Sequence, residues 1–177
     1  IKQRYPNLTS FQIKDLLVAS AKNKEGNIYM DGAGELDVFS ATQKELIISP
    51  SLINLGELLT DFTSYQHNAS FKLHNISDEV RTYNITLGSD PVAGAELTLV
   101  SAQPITLQPD EIREIYYSLN IDHQELEIAK DWPSNYDMSF SITSGDDSWR
   151  LPITFHKSHL LQFDSDSDVD FILFNNA

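Results

Sequence analysis

The sequence predicts a mainly β protein, an antiparallel β-sandwich preceded by a short helical segment. From Leu46 onward, short β-rich runs are separated by turn residues at spacings that suit a sandwich of about seven to nine strands. Phe71-Lys-Leu-His-Asn75 and Tyr83-Asn-Ile-Thr-Leu87 alternate apolar with polar residues, so each should bury one face and wet the other. Ahead of these runs lies a single capped amphipathic pattern of helical period.

That helix is expected over 9–21. Thr9 can cap it, and Gln12, three residues on, can reach back to the backbone N–H of the cap as in a capping box. Ile13, Leu16 and Leu17 fall on one face, with Lys14, Asp15 and Ser20 off it. Burying these three side chains is worth roughly 1.5–3 kcal/mol each, so the face needs a partner: either a neighbouring domain or the sandwich itself. Gly26-Asn27 reads as a helix stop and turn, and Ile28-Tyr29-Met30 as a short strand. Gly32 and Gly34 then permit positive φ or a close backbone approach. Candidate strands follow at 46–49, 53–56, 70–75, 81–87, 97–100, 104–107, 112–120, 137–143 and 149–156. Asn75-Ile-Ser-Asp78 and Pro109-Asp110 carry turn chemistry. Pro152, which cannot donate to a ladder, is expected on an edge strand or at a strand start.

Composition bounds the function. The 177 residues bury a real core, and an apolar fraction of 41% is globular. Acidic residues outnumber basic ones by 26 to 12, and the net charge of -14 repels phosphate backbones, which sets nucleic acid aside as a partner. The absence of cysteine excludes disulfides, zinc–thiolate sites and a cysteine nucleophile. No run is long and apolar enough to span a bilayer. Ile1-Lys-Gln-Arg4 lacks an initiator Met and an apolar stretch, so it is not a signal peptide and reads as the start of a processed piece.

The opening Ile1-Lys-Gln-Arg-Tyr-Pro6, the helix, and Asp31-Gly-Ala-Gly-Glu-Leu-Asp-Val-Phe-Ser-Ala41 together resemble the end of a subtilisin-like serine protease catalytic domain. The Gly-Thr-Ser nucleophile motif of that family would lie just before Ile1. The remainder resembles the fibronectin type III-like domain that follows many such catalytic domains, through Ile53-Asn-Leu-Gly56, Phe71-Lys-Leu-His-Asn-Ile-Ser-Asp78 leading to Thr82-Tyr83, Leu107-Gln-Pro-Asp-Glu111 and Trp149-Arg-Leu-Pro-Ile-Thr-Phe155. The resemblance implies three parts: 1–42 as the end of the catalytic domain, 43–158 as an immunoglobulin/fibronectin type III-like sandwich, and 159–177 as an acidic linker, a last strand or the start of a further β module. It also implies a secreted or surface-attached accessory region without catalytic residues, whose partner is its own upstream protease domain. A protein substrate or a cell-surface component is the further partner it allows. Ile13, Leu16, Leu17 and Phe39 are the residues expected to dock on the catalytic domain. The rival expectation is a free-standing extracellular binding or adhesion sandwich.

Other chemistry is sparse. A serine-protease triad needs a nucleophile, a histidine and a carboxylate together in space, and no serine here sits in a Gly-Thr-Ser or Gly-x-Ser-x-Gly context. Asp164, Asp166, Asp168 and Asp170 offer oxygen ligands at alternate positions, as calcium prefers. An EF-hand loop counted from Asp164 would place Val169 where Gly is required and Asn175 where Glu is required, so a solvated linker or a calcium site of another geometry are the readings left. No other cofactor is indicated. Sequons occur at Asn7, Asn68, Asn75 and Asn84. Trp132 and Trp149 are expected in the core or at a hinge, with carbohydrate stacking or an interface as the alternative, and Pro133 places Trp132 in a loop.

Overall fold

A computed structural model describes residues 1–24, 26–59, 64–89, 91–126 and 134–158. It shows a mainly β protein in which two sheets form a sandwich. Three short helices come first: α1 (Ser10–Ala19), α2 (Ile28–Asp31) and α3 (Val38–Gln43). The strands are β1 (Leu46–Ser49), β2 (Ile53–Leu59), β3 (Ser64–Asn75), β4 (Arg81–Leu87), β5 (Ala95–Leu99), β6 (Ile105–Leu107), β7 (Ile112–Asp122), β8 (Ser134–Ser144) and β9 (Asp147–Ser158).

One sheet runs β1-β3-β7-β5 and the other β2-β9-β8-β4-β6. This division is that of an immunoglobulin-type sandwich, with the first strand split between the sheets. β1 pairs antiparallel with β3, whereas β2 lies parallel to β9. Gly56, at φ +69°, takes the irregularity between Asn54 and Glu57 in the β2 ladder. Between the sheets, Phe71, Tyr117 and Phe140 form an aromatic cluster with ring centroids 5.8–6.3 Å apart. Trp149, buried, meets Tyr83 edge-on at 5.9 Å, as expected of a core tryptophan. Burial pushes the Tyr83 hydroxyl up to about 12.

Three local expectations change. Residues 28–30 are helical rather than a strand, because the Asn27 side chain accepts the Tyr29 N–H at 2.7 Å and caps a helical turn. The first helix ends at Ala19, capped by Ser20, well before Gly26. Pro152 lies in β9, an interior strand of its sheet. It is tolerated there because the backbone N–H and C=O of its partner Ser139 both point away from β9, to Ser89 and Gly88. That pair exchanges no ladder bonds, so the Pro152 nitrogen faces the β2 side, where pairing begins only at Ile53 and Ile153. The position is an edge locally, although the strand is not.

Candidate functional site

The helical segment is bound tightly to the sandwich, and its outward surface is the candidate site. The capping box of α1 forms as expected: Gln12 N–H donates to Thr9 Oγ1 at 3.2 Å and Thr9 N–H donates to Gln12 Oε1 at 2.9 Å. This fixes the rotation of the helix and sends Leu16 into a small core with Leu8, Ala41 and Ile47 of β1. Leu16 is fully buried, and Ile13 and Leu17 are partly buried against the same cluster. The helix face therefore packs on the sandwich within this chain. Phe39, on α3, is 77% exposed. Of the four residues expected to dock, the structure brings three together beneath the surface and leaves the fourth on it.

Polar straps hold the rest of the segment. Ser49 and Ser51 donate to the Asp15 carboxylate at 2.6 and 2.8 Å. Asp137 of β8 accepts the Ile28 N–H and the Thr154 hydroxyl, both at 2.7 Å, which pins α2 across β8 and β9. Lys44 pairs with Asp147 at 3.0 Å and lies over the Trp149 ring. Gly34, at φ +118°, allows Glu35 and Lys22 to exchange backbone hydrogen bonds; a Cβ there would lie 2.1 Å from the Lys22 carbonyl oxygen. Gly32 ends α2 at φ +62°. Both glycines thus do what the Gly-Ala-Gly pattern suggested. Asp37 caps α3, and the Ser40 N–H followed by the Lys22 ammonium hold its carboxyl below the usual range.

Among the exposed charged residues Lys14, Lys22, Lys24, Asp31 and Glu35, these straps also leave large apolar side chains outward. Phe11, Met30 and Leu36 are 79%, 81% and 62% exposed, and a groove of about 390 Å³ runs between α1, the Gly32–Leu36 turn and the Pro50–Leu52 crossover. Sequence reasoning singled out Phe39, with Ile13, Leu16 and Leu17, from apolar spacing, and the structure leaves it exposed. The same reasoning missed Phe11, Met30 and Leu36, whose signal was large apolar side chains off the α1 core face and beside glycines.

His74 is held by partners on both sides of its ring. His74 Nε2 donates to Asp110 at 2.7 Å, and Gln12 Nε2 lies 3.4 Å from Nδ1 on its other side. Among the described residues no serine hydroxyl is hydrogen-bonded to a histidine, and no group of three or more acidic or histidine side chains is placed to hold a metal ion. Asp164, Asp166, Asp168, Asp170 and Trp132 lie outside the described residues. Among the described residues no helix is long and apolar enough to cross a membrane.

No family model matches the chain, and no curated protein matches it. Among solved structures, the secreted serine protease VesC from Vibrio cholerae aligns at a TM-score of 0.41 and 16% identity, over 64% of this chain and 23% of that one. The VesB protease of Vibrio cholerae aligns at 0.38 and 18%, over 65% of this chain and 32% of that one. The CooA pilin subunit of enterotoxigenic Escherichia coli aligns at 0.38 and 13%, over 67% and 97%. The alignments therefore span less than two thirds of either protease. Proteins as different as proteases and a pilin share this level of likeness, and it does not distinguish among their functions.

Proposed function

We propose that this chain is the non-catalytic accessory region of a secreted subtilisin-like serine endopeptidase, seated against the catalytic domain through its N-terminal segment. The parent would hydrolyse peptide bonds with an Asp-His-Ser triad lying before Ile1, and the sandwich would brace it. The observation that carries the reading is the outward apolar surface of residues 11–39, on the same stretch that resembles the end of the catalytic domain. Phe39, Phe11, Met30 and Leu36, all exposed on this segment, leave roughly 1.5–3 kcal/mol of burial each unrealised in this chain alone. Ile13 and Leu17 flank that contact, and Leu16 supports it from beneath.

The test follows from the difference between Leu16 and Phe39. Leu16→Asp would disrupt the helix's own packing and discriminate nothing, whereas Phe39 is free to change. In the intact protease, Phe39→Asp is expected to lower the melting temperature and peptidase activity, while the same substitution in this chain alone leaves its urea midpoint unchanged. An intact enzyme indifferent to Phe39→Asp overturns the proposal. The rival, a free-standing extracellular binding or adhesion sandwich, is favoured by the helix face being spent within the chain. A signal peptide encoded immediately before Ile1 would establish it, and a Gly-Thr-Ser motif there would refute it.

A further inference from the structure

Strand alternation sends Phe71, Tyr117 and Leu119 into the core and turns their neighbours outward. On β3, β7 and β5 those outward positions fall into register as rungs. Gln66 lies opposite Asn120, and Asn68 lies opposite Ser118, which on its other side faces Thr98. The next outward residue along β7 is Tyr116, 52% exposed, beside a depression of about 450 Å³ lined also by Asn68, Ser70 and Val100. Sheet geometry spaces these groups roughly 4.8 Å apart across strands and roughly 6.6 Å along them, a grid on the scale of a sugar ring.

Two features set this face apart from an ordinary solvated one. Among the described residues the side chains of Gln66, Asn68, Thr98 and Asn120 have no hydrogen-bond partner, and Ser118, only 9% exposed between Asn68 and Thr98, keeps a buried hydroxyl with none. Tyr116 is held in place by donating to Glu114 at 3.0 Å, a carboxylate that also accepts from Ser70 at 2.5 Å. An amide presents a donor and an acceptor side by side, which matches a pair of neighbouring sugar hydroxyls. A fixed aromatic ring offers an apolar surface with a polar tip. The Asn68–Ser118–Thr98 rung is uncharged, while Glu96 faces Asn120 from β5 and Glu114 holds Tyr116 on β7, so a neutral polyhydroxylated ligand fits where a polyanion would be repelled.

We propose that the outer face of the β1-β3-β7-β5 sheet binds a neutral polysaccharide across β3, β7 and β5, with Tyr116 as the stacking group and Gln66, Asn68 and Asn120 as the hydrogen-bonding groups. This site is distinct from the surface of residues 11–39 and stands whether or not that surface docks on a protease domain. Affinity gel electrophoresis of the full chain through laminarin, hydroxyethylcellulose, xylan or dextran tests it, with alginate as the polyanionic control. At least one neutral polysaccharide is expected to retard the protein, and Tyr116→Ala to abolish the retardation. Asn68→Ala should weaken binding about fivefold, the contribution of one hydrogen bond. Asn84→Ala, exposed on the other sheet, should bind as the unaltered chain does, and Tyr116→Phe, which keeps the ring but loses its tie to Glu114, should bind more weakly than the unaltered chain and more tightly than Tyr116→Ala. Urea midpoints of the variants should match the unaltered chain, since these side chains are exposed. Passage unretarded through all four neutral gels, equal retardation by alginate, or retardation that survives Tyr116→Ala overturns the proposal.

Discussion

Asn75 organises one end of the sandwich although it is a single carboxamide. It is fully buried; its Nδ2 donates to the carbonyls of Glu79 and Gln108 at 2.8 and 3.1 Å, and its Oδ1 accepts from Ser77 N–H and Oγ and, at 3.4 Å, from the Tyr83 hydroxyl. Asn75→Ala would orphan several buried groups at once, each costing about 1–3 kcal/mol, so we expect a loss of roughly 3 kcal/mol in urea unfolding, and a loss below about 1 would contradict this. The same burial closes the Asn75 sequon to glycosylation in the folded protein, while Asn7, Asn68 and Asn84 stay exposed. A second prediction concerns pH. His123 is buried with neither ring nitrogen partnered, and Lys157 donates to its carbonyl oxygen at 2.6 Å. Burial first, and the Lys157 charge second, hold the imidazole below its ordinary 6.5, against a smaller opposing pull from Asp122. The unfolded chain therefore binds more protons, so this contribution is fully present above about pH 6.5 and lost as pH falls through the lowered value in the folded state. Urea midpoints should decline as pH falls below about 6.5, and His123→Gln should flatten that decline. Asn75 was legible as turn chemistry. Its wider role was not, because acceptors such as Gln108 lie far along the chain.

Among the elements, alternation and turn residues were enough to place the strands near their observed positions, and the 46–49 and 81–87 runs coincide with β1 and β4. Where the reading fell short, the reason is physical. β3 extends back to Ser64 through polar Gln66, His67 and Asn68, because its outer face is wet and its inner positions there are only half-buried, so no apolar period marks it. α3 begins with Val38 and Phe39, residues that favour strands, and is helical because Asp37 caps it by accepting the Ser40 N–H at 2.9 Å. The two-residue turn at Gly145-Asp146, with Gly145 at φ +59°, joins β8 to β9 and was available as hairpin chemistry. The Gly-Ala-Gly turn was legible and can be tested at this scale. Gly34→Ala places a Cβ against the Lys22 carbonyl and forces an unfavourable φ, costing about 1–3 kcal/mol. Hydrogen exchange should show the Lys22 and Glu35 amides losing protection while the β3–β7 ladder keeps it. Unchanged exchange at those two amides would mean that the turn relaxes without cost.

The whole molecule raises the question of whether residues 1–42 belong to the sandwich or to a neighbour, and energetics bear on it more than resemblance does. Leu16, Leu8 and Ala41 share a core with Ile47 of β1, while Asp15, Ile28 and Lys44 reach the other straps. A four-turn-or-shorter helix such as α1 is marginal alone in water, so these contacts must supply its stability. If they do, the segment and the sandwich unfold as one cooperative unit. Helical ellipticity and the near-ultraviolet signal of Trp149 against Tyr83 should then decay at the same urea concentration. Leu16→Ala, which empties a fully buried site, should move both transitions together by about 3 kcal/mol. If the helical signal alone moved, the segment would be held only locally and would need its neighbouring domain to fold. Coincident movement would mean that the apolar surface of residues 11–39 rests on a rigid base, ready to meet a partner without ordering itself first, which lowers the entropic cost of docking.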